Sequence, residues 1–299
     1  MSDTIDSLLA EVRAALRQAD FDDPAQEARI LVGGLLGLMP TGLMSRGGDV
    51  VAADKAALIR AGIARRLARE PLHRILGARD FYGLTLSLSP ETLEPRPDTE
   101  TLVEAMLPHV RATVGRVGQC RILDLGTGTG AICLALLSEV AEATGVGVDL
   151  SEDALATAAA NARAHGLSER FRTVRSDWFG TIDGRYHVIV SNPPYIRSDI
   201  IDGLDPEVRL FDPMLALDGG TDGLDAYRMI AVHAAAFLED EGMVGLEIGF
   251  DQKDSVTQIF DAEGFERTAF LRDLGGNDRV LVFRRADAGK PYAVGLPAC

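Results

Sequence analysis

Two stretches of this 299-residue chain combine residue types and spacings that can do chemistry. In Val188-Ile189-Val190-Ser191-Asn192-Pro193-Pro194-Tyr195, two prolines directly follow an apolar run that reads as a buried strand. Proline lacks an N–H and fixes φ, so the pair ends sheet pairing and holds the chain rigid and extended. The Asn192 side-chain oxygen and the Pro193 carbonyl are then two acceptors able to face the hydrogens of one NH₂ group. Tyr195 adds an aromatic wall against which a flat amide or base can rest. The chemistry this suits is recognition and orientation of a planar nitrogen, with a purely structural Asn-Pro-Pro-Tyr turn as the competing reading.

The second stretch, Ile122-Leu123-Asp124-Leu125-Gly126-Thr127-Gly128-Thr129-Gly130, leads from an expected strand into a helix starting near Ala131. Glycines there permit positive φ and close approach of a ligand at the carboxyl end of a strand, where open α/β sheets bind nucleotide-like cofactors. Gly126, Gly128 and Ala131 also satisfy the dinucleotide spacing with alanine in last place, so this loop alone leaves a dehydrogenase open. Asp149 ends the next expected strand, near the spacing at which an acid meets a ribose diol. The alternative is that it merely precedes a helix capped by Ser151. After the third strand, Ser176-Asp177-Trp178 puts the only tryptophan where an adenine ring would lie, with a core or lid role as the alternative.

These residues need a sheet to hold them. Apolar, β-rich runs at 121–125, 146–150, 171–175, 188–191, 243–248 and 279–283 alternate with helical stretches, which predicts a mostly parallel sheet covered by helices on both faces. Residues before 75 read as short helices instead: Leu8, Leu9, Val12 and Leu16, then Ile30, Leu31 and Leu35, fall at helical spacing, and Asp23-Pro24 looks like a helix start. In the last of them, over 54–69, Leu58, Ile59, Ile63 and Leu67 are expected to form the inner face. Residues 81–88 suit a strand or hairpin, and Pro90, Pro95 and Pro97 follow. The domain expectation is a helical domain over 1–75, a hairpin linker over 76–95, a catalytic domain over 96–285 and a flexible tail over 286–299.

Composition narrows the function classes. Hydrophobic residues at 46% and charged ones at 25% allow a sizeable core. No apolar run is long enough for a membrane span, and the acidic start does not resemble a signal peptide, so a cytoplasmic location is expected. Cys120, Cys133 and Cys299 are too few and too irregularly spaced for a disulfide framework or a zinc site. The net charge is −15, and the first 89 residues carry equal numbers of acidic and basic side chains, so the whole acidic excess lies in the catalytic part. Such a surface repels a phosphate backbone unless a local basic patch intervenes.

The run 192–195 resembles the Asn/Asp-Pro-Pro-Tyr/Phe motif of methyltransferases acting on exocyclic amino or amide nitrogens. Asp80-Phe81-Tyr82-Gly83, Glu94-Pro95-Arg96-Pro97-Asp98-Thr99-Glu100, the 215–224 run Leu-Ala-Leu-Asp-Gly-Gly-Thr-Asp-Gly-Leu, Leu246-Glu247-Ile248-Gly249 and residues 273–280 narrow the likeness to the HemK/PrmC family. The resemblance covers about residues 70–285. It implies a Rossmann-like, seven-stranded class I methyltransferase domain after a small helical bundle and a β-hairpin linker. It also implies S-adenosyl-L-methionine as cofactor, S-adenosyl-L-homocysteine as product, and methylation of the glutamine side-chain nitrogen in the Gly-Gly-Gln motif of peptide chain release factors. By the same resemblance Gly126, Thr127, Gly128, Thr129 and Gly130 hold the methionine end of the cofactor, Asp149 the ribose, and Trp178 lies near the adenine. Asn192, next to the cofactor, holds the glutamine amide with Pro193, Pro194 and Tyr195. The helical domain is expected to dock the substrate protein, with a bundle that only packs on its neighbour as the competing reading. Two alternatives stay open: a nucleic-acid amino methyltransferase, and a non-catalytic cofactor-binding module that docks on a translation factor. No metal is expected.

Overall fold

The computed structural model describes residues 3–286. Of the tail expected over 286–299, only Ala286 falls among them. The chain divides into two compact units, one from the residues up to Arg79 joined by Leu204–Asp212, the other from Asp80–Gly203 and the residues from Pro213 onward. The return of 204–212 to the first unit carries no signal in the local sequence pattern.

The first unit packs α1 (Ile5–Gln18), α2 (Pro24–Leu36), α3 (Pro40–Ser45), α4 (Ala53–Leu67) and α5 (Leu72–Leu76), with the short α9 (Pro206–Arg209) from the returning segment. A capping box starts α1: the Ser7 N–H donates to Thr4 Oγ1 and the Thr4 N–H to Ser7 Oγ, and Ile5, Leu8, Val12 and Leu16 form its buried stripe. Asp23 caps α2 by accepting from the Gln26 N–H at 2.9 Å, with Pro24 in the first turn, as the Asp-Pro pair predicts. The face expected for α4 needs correction. Leu58 and Leu67 are 50% and 41% exposed, and the buried stripe is Ala56, Ile59, Gly62, Ile63 and Arg66. An arginine holds the place of a hydrophobe because its guanidinium pairs with Glu27 at 2.7 Å and Glu207 at 2.9 Å and lies over the Phe21 ring at 4.3 Å.

A hairpin opens the second part of the chain: β1 (Ala78–Phe81), within which the division between units falls, and β2 (Leu84–Ser87), turning at Tyr82-Gly83 with φ of 48° and 78°. There follow α6 (Glu100–Val117), β3 (Cys120–Leu125), α7 (Ala131–Glu139), β4 (Ala143–Asp149), α8 (Glu152–Ala164), β5 (Phe171–Arg175), β6 (Tyr186–Ser191), α10 (Met214–Leu217), α11 (Asp225–Phe237), β7 (Leu238–Glu247), α12 (Lys253–Ala262), β8 (Phe265–Arg272) and β9 (Asp278–Arg285). The seven strands run in the order β5-β4-β3-β6-β7-β9-β8, parallel except that β9 is antiparallel to both its neighbours.

Alternate residues of the inner strands feed two cores. Ile122, Val188 and Val190 pack with α6 and α7, while Leu123, Leu125 and Ile189 pack with α11 and α12, each buried aliphatic side chain contributing roughly 1.5–3 kcal/mol. The runs expected at 121–125, 171–175, 188–191 and 279–283 match strands within three residues at either end. β4 starts earlier than expected because Gly145 and Gly147 weaken its strand signal. A Cβ at Gly145 would stand 2.2 Å from Cys133 Sγ and one at Gly147 2.7 Å from the Phe171 ring, so helix and neighbouring strand exclude larger residues there. β8 escapes the pattern because, as an edge strand with charged and partly exposed positions, it lacks a continuous apolar run.

Candidate active site

β3 and β6 are adjacent, with Leu125 opposite Ser191, so the glycine loop and the Asn-Pro-Pro-Tyr segment leave the sheet side by side. β3 pairs with β4 on its other flank, and the chain order therefore reverses at β3, the crevice where open α/β sheets bind ligands. The Ser191 hydroxyl donates to the Leu125 carbonyl at 2.7 Å and ties the two strand ends together.

The loop turns through Gly126 and Gly128, with φ of 68° and 54°, and an added Cβ at either would meet nothing within 4 Å. Positive φ and open space together leave the backbone approachable by a ligand. Gly130 instead caps α7 and does not face the cavity. Below the loop, Asp124 is 1% exposed; its Oδ2 accepts the Thr127 hydroxyl at 2.8 Å and the Cys133 N–H at 3.3 Å, and its Oδ1 has no hydrogen-bond partner among the described residues. Burial pushes its carboxyl up to about 7. Asp149 is held from both sides: Oδ2 accepts the Gly128 N–H and Oδ1 the Ser151 N–H, each at 3.0 Å. Ser151 also caps α8, accepting the Ala154 N–H at 3.1 Å, so the two readings of the Asp149-Leu150-Ser151 turn are compatible.

One cavity of about 630 Å³ collects these residues. Gly126, Thr127, Gly128, Thr129, Asp149, Trp178, Asn192 and Pro194 all line it. Trp178 has φ of 49° and is partly buried against the core. Pro193 and Tyr195 are not on the lining; Pro193 is buried, and the Tyr195 hydroxyl points to Glu247 Oε1 at 3.4 Å. Burial beside Glu247 holds the Tyr195 phenol well above its usual range. The volume and the open glycine backbone fit a nucleoside-bearing cofactor. Among the described residues no cluster of His, Cys, Asp and Glu could hold a metal ion.

Sequence reasoning missed three contributors. Thr99, which lines the cavity, joins Asn192 to Glu247, whose carboxyl burial pushes up to about 7. Gln252 braces the extended segment, its Nε2 donating to the carbonyls of Tyr195 and Gly223 at 3.0 Å each. The 215–224 run packs so closely here that a Cβ on Gly219 would stand 2.8 Å from the Pro194 carbonyl oxygen, and the Ile196 N–H donates to Leu217 O at 2.9 Å. Thr99 and Glu247 lie inside motifs quoted for the resemblance, but no spacing rule joins residues 148 apart. His187, inside β6, accepts the Arg121 N–H at its Nδ1 at 3.0 Å, and burial lowers its pKa.

The chain matches family models for the PrmC N-terminal domain over residues 7–77 and for the methyltransferase small domain over residues 98–203. It is 55% identical to the release factor glutamine methyltransferase of Agrobacterium fabrum, over 94% of this chain and 98% of that protein. It is 44% identical to the enzyme of the same name from Rhodospirillum rubrum, over 92% and 83%. Among solved structures, the catalytic domain of hMettl16 in complex with the MAT2A 3′UTR hairpin 6 aligns over 82% of this chain and 87% of that one, with a TM-score of 0.54 at 15% identity, a likeness of fold. With more than half of its residues shared over nearly its whole length, the chain belongs to the release factor glutamine methyltransferase family.

Proposed function

We propose that this protein methylates the side-chain amide nitrogen of the glutamine in the Gly-Gly-Gln motif of peptide chain release factors, using S-adenosyl-L-methionine and leaving S-adenosyl-L-homocysteine. The observation that carries this reading is the single cavity shared by the glycine loop after β3 and Asn192 after β6. The cofactor, when bound, supplies an electrophilic methyl group on a sulfonium. Gly126 to Thr129 offer backbone to its amino-acid end, Asp149 has carboxylate lone pairs for the ribose hydroxyls, and Trp178 offers a ring face for the adenine. Gly130 supports the loop as the cap of α7.

An amide nitrogen is a weak nucleophile because its lone pair is delocalised. Oδ1 of Asn192, on the cavity lining, would accept one N–H of the amide, and the carbonyl of the buried Pro193 next to it is the proposed acceptor for the other; together they would fix the nitrogen in line with the methyl group and stabilise the positive charge that grows on it. Pro194 and Tyr195 keep that segment stiff. Positioning of this kind supplies roughly 7–11 kcal/mol in well-oriented reactions, so no strong base is called for. The acidic surface speaks for a protein rather than a polyanionic substrate, and the first unit is the natural docking module for the body of that protein.

Asn192→Ala is expected to cut methyl transfer by at least about 100-fold while cofactor affinity stays within about 3-fold, since the lost acceptor serves the nucleophile. Cofactor affinity falling together with transfer, with no separate loss at saturation, contradicts the assignment.

A further inference from the structure

Asn192 is gripped from its amide nitrogen. Nδ2 donates to Thr99 Oγ1 at 3.3 Å, the Thr99 hydroxyl donates to Glu247 Oε2 at 2.6 Å, and Glu247 Oε1 accepts the Tyr195 hydroxyl at 3.4 Å. The three links come from separate elements: the turn before α6, the end of β6 and the last residue of β7. Thr99 is 4% and Glu247 1% exposed, and Glu247 forms no ion pair among the described residues. A buried carboxylate whose hydrogen bonds come from hydroxyls, with the Arg279 charge near but not paired to it, is costly, and a glutamine could accept from one hydroxyl and donate to the other without charge. What only the carboxylate guarantees is that this group accepts and never donates.

That guarantee has a consequence two bonds away. A hydroxyl has one proton, so when Glu247 takes it, Thr99 can only accept from Asn192, and the Asn192 amide must turn its nitrogen to Thr99 and leave Oδ1 for the cavity. We propose that Glu247 is a positioning residue which, through Thr99, sets the orientation of the Asn192 amide and so makes Asn192 an acceptor toward the substrate nitrogen. The proposal rests on the role given to Asn192 above. A protonated Glu247 would donate to Thr99, release the Thr99 proton toward Asn192, and turn the Asn192 NH₂ toward the substrate NH₂, donor against donor.

Burial pushes Glu247 up to about 7, the hydrogen bond from Thr99 and the charge of Arg279 pull it down, and Asp98 pushes it up. Arg279 is itself held by Asp273 at 3.0 Å and stands 3.9 Å from Asp98, while Arg96 acts on the neighbouring Tyr195. The relay is therefore set correctly above neutrality and scrambled below it.

The test uses the full-length chain with Glu247→Gln, Thr99→Val, Thr99→Ser and Asn192→Ala, reading kcat at saturating S-adenosylmethionine on a release factor, cofactor Kd, and kcat against pH. Thr99→Ser should stay within about 3-fold of the parent, whereas Glu247→Gln and Thr99→Val lose about 10–100-fold in kcat with cofactor Kd unchanged, and the double variant is no worse than the weaker single one. The parent should lose kcat below about pH 7 in a limb that Glu247→Gln lacks. Parental kcat and an intact acid limb in Glu247→Gln, beside an inactive Asn192→Ala, overturn this proposal alone. Full transfer by Asn192→Ala overturns the Asn192 reading beneath it. If Glu247→Gln does not fold, the near-isosteric Thr99→Val decides: parental kcat in it overturns the proposal.

Discussion

Replacing Asp149 by alanine tests the cofactor side of the site at the carboxylate with the most defined geometry. Each of its oxygens already accepts one backbone N–H at 3.0 Å, from Gly128 and from Ser151, and retains a lone pair for one hydroxyl of a ribose diol. A hydrogen bond to a charged acceptor contributes about 1.5–3 kcal/mol, so losing two costs about 3–6 kcal/mol. At about 1.4 kcal/mol per tenfold, cofactor Kd should rise by roughly 100-fold to 10,000-fold. Loss of the Gly128 anchor loosens the loop and adds to this. Asp149→Asn should fall between, because its amide oxygen keeps one acceptor while its NH₂ confronts an N–H. Isothermal titration calorimetry with S-adenosylmethionine and with S-adenosylhomocysteine reads the change, and kcat at saturating cofactor should recover most of its parental value. A Kd within about 3-fold of the parent would refute the ribose role, as would an unchanged Kd with a collapsed kcat.

Asp124 and Arg66 give two further expectations. Since Asp124 titrates at about 7 in the folded protein against 3.8 unfolded, the native state holds its proton more tightly and the group's contribution to stability is lost as pH rises through that window. In urea unfolding, Asp124→Asn should therefore gain about 4 kcal/mol relative to the parent between about pH 4 and about pH 8, and a pH-independent difference contradicts this. Arg66→Ala strips Glu27 and Glu207 of their shared guanidinium and Phe21 of its cation, which should destabilise the first unit by about 2–5 kcal/mol in the same experiment; a loss under about 1 kcal/mol would show the cluster to be ornamental.

Legibility followed the range of the interactions. Continuous apolar runs and helix caps are local, so most of the inner strands, the starts of α2 and α8, and the glycine loop could be read from neighbours in sequence. The Asn-Pro-Pro-Tyr segment was readable because proline acts on its own backbone. What stayed hidden depends on partners far apart in the chain: the buried Arg66, the return of 204–212 to the first unit, and the Thr99–Glu247 link behind Asn192. β8 was missed for the opposite reason, since an exposed edge strand needs no apolar continuity. Tyr195, expected as a wall for the substrate, lies off the cavity lining and sends its hydroxyl to Glu247, a contact that no local pattern announces.

The central claim is tested most directly by mass spectrometry of a purified bacterial release factor incubated with this protein and S-adenosylmethionine, beside the same factor with its Gly-Gly-Gln glutamine changed to alanine. The account predicts one added methyl group on that glutamine and none on the control. Unmodified glutamine in a reaction where cofactor binding is demonstrated, or equal methylation of the alanine control, would contradict it.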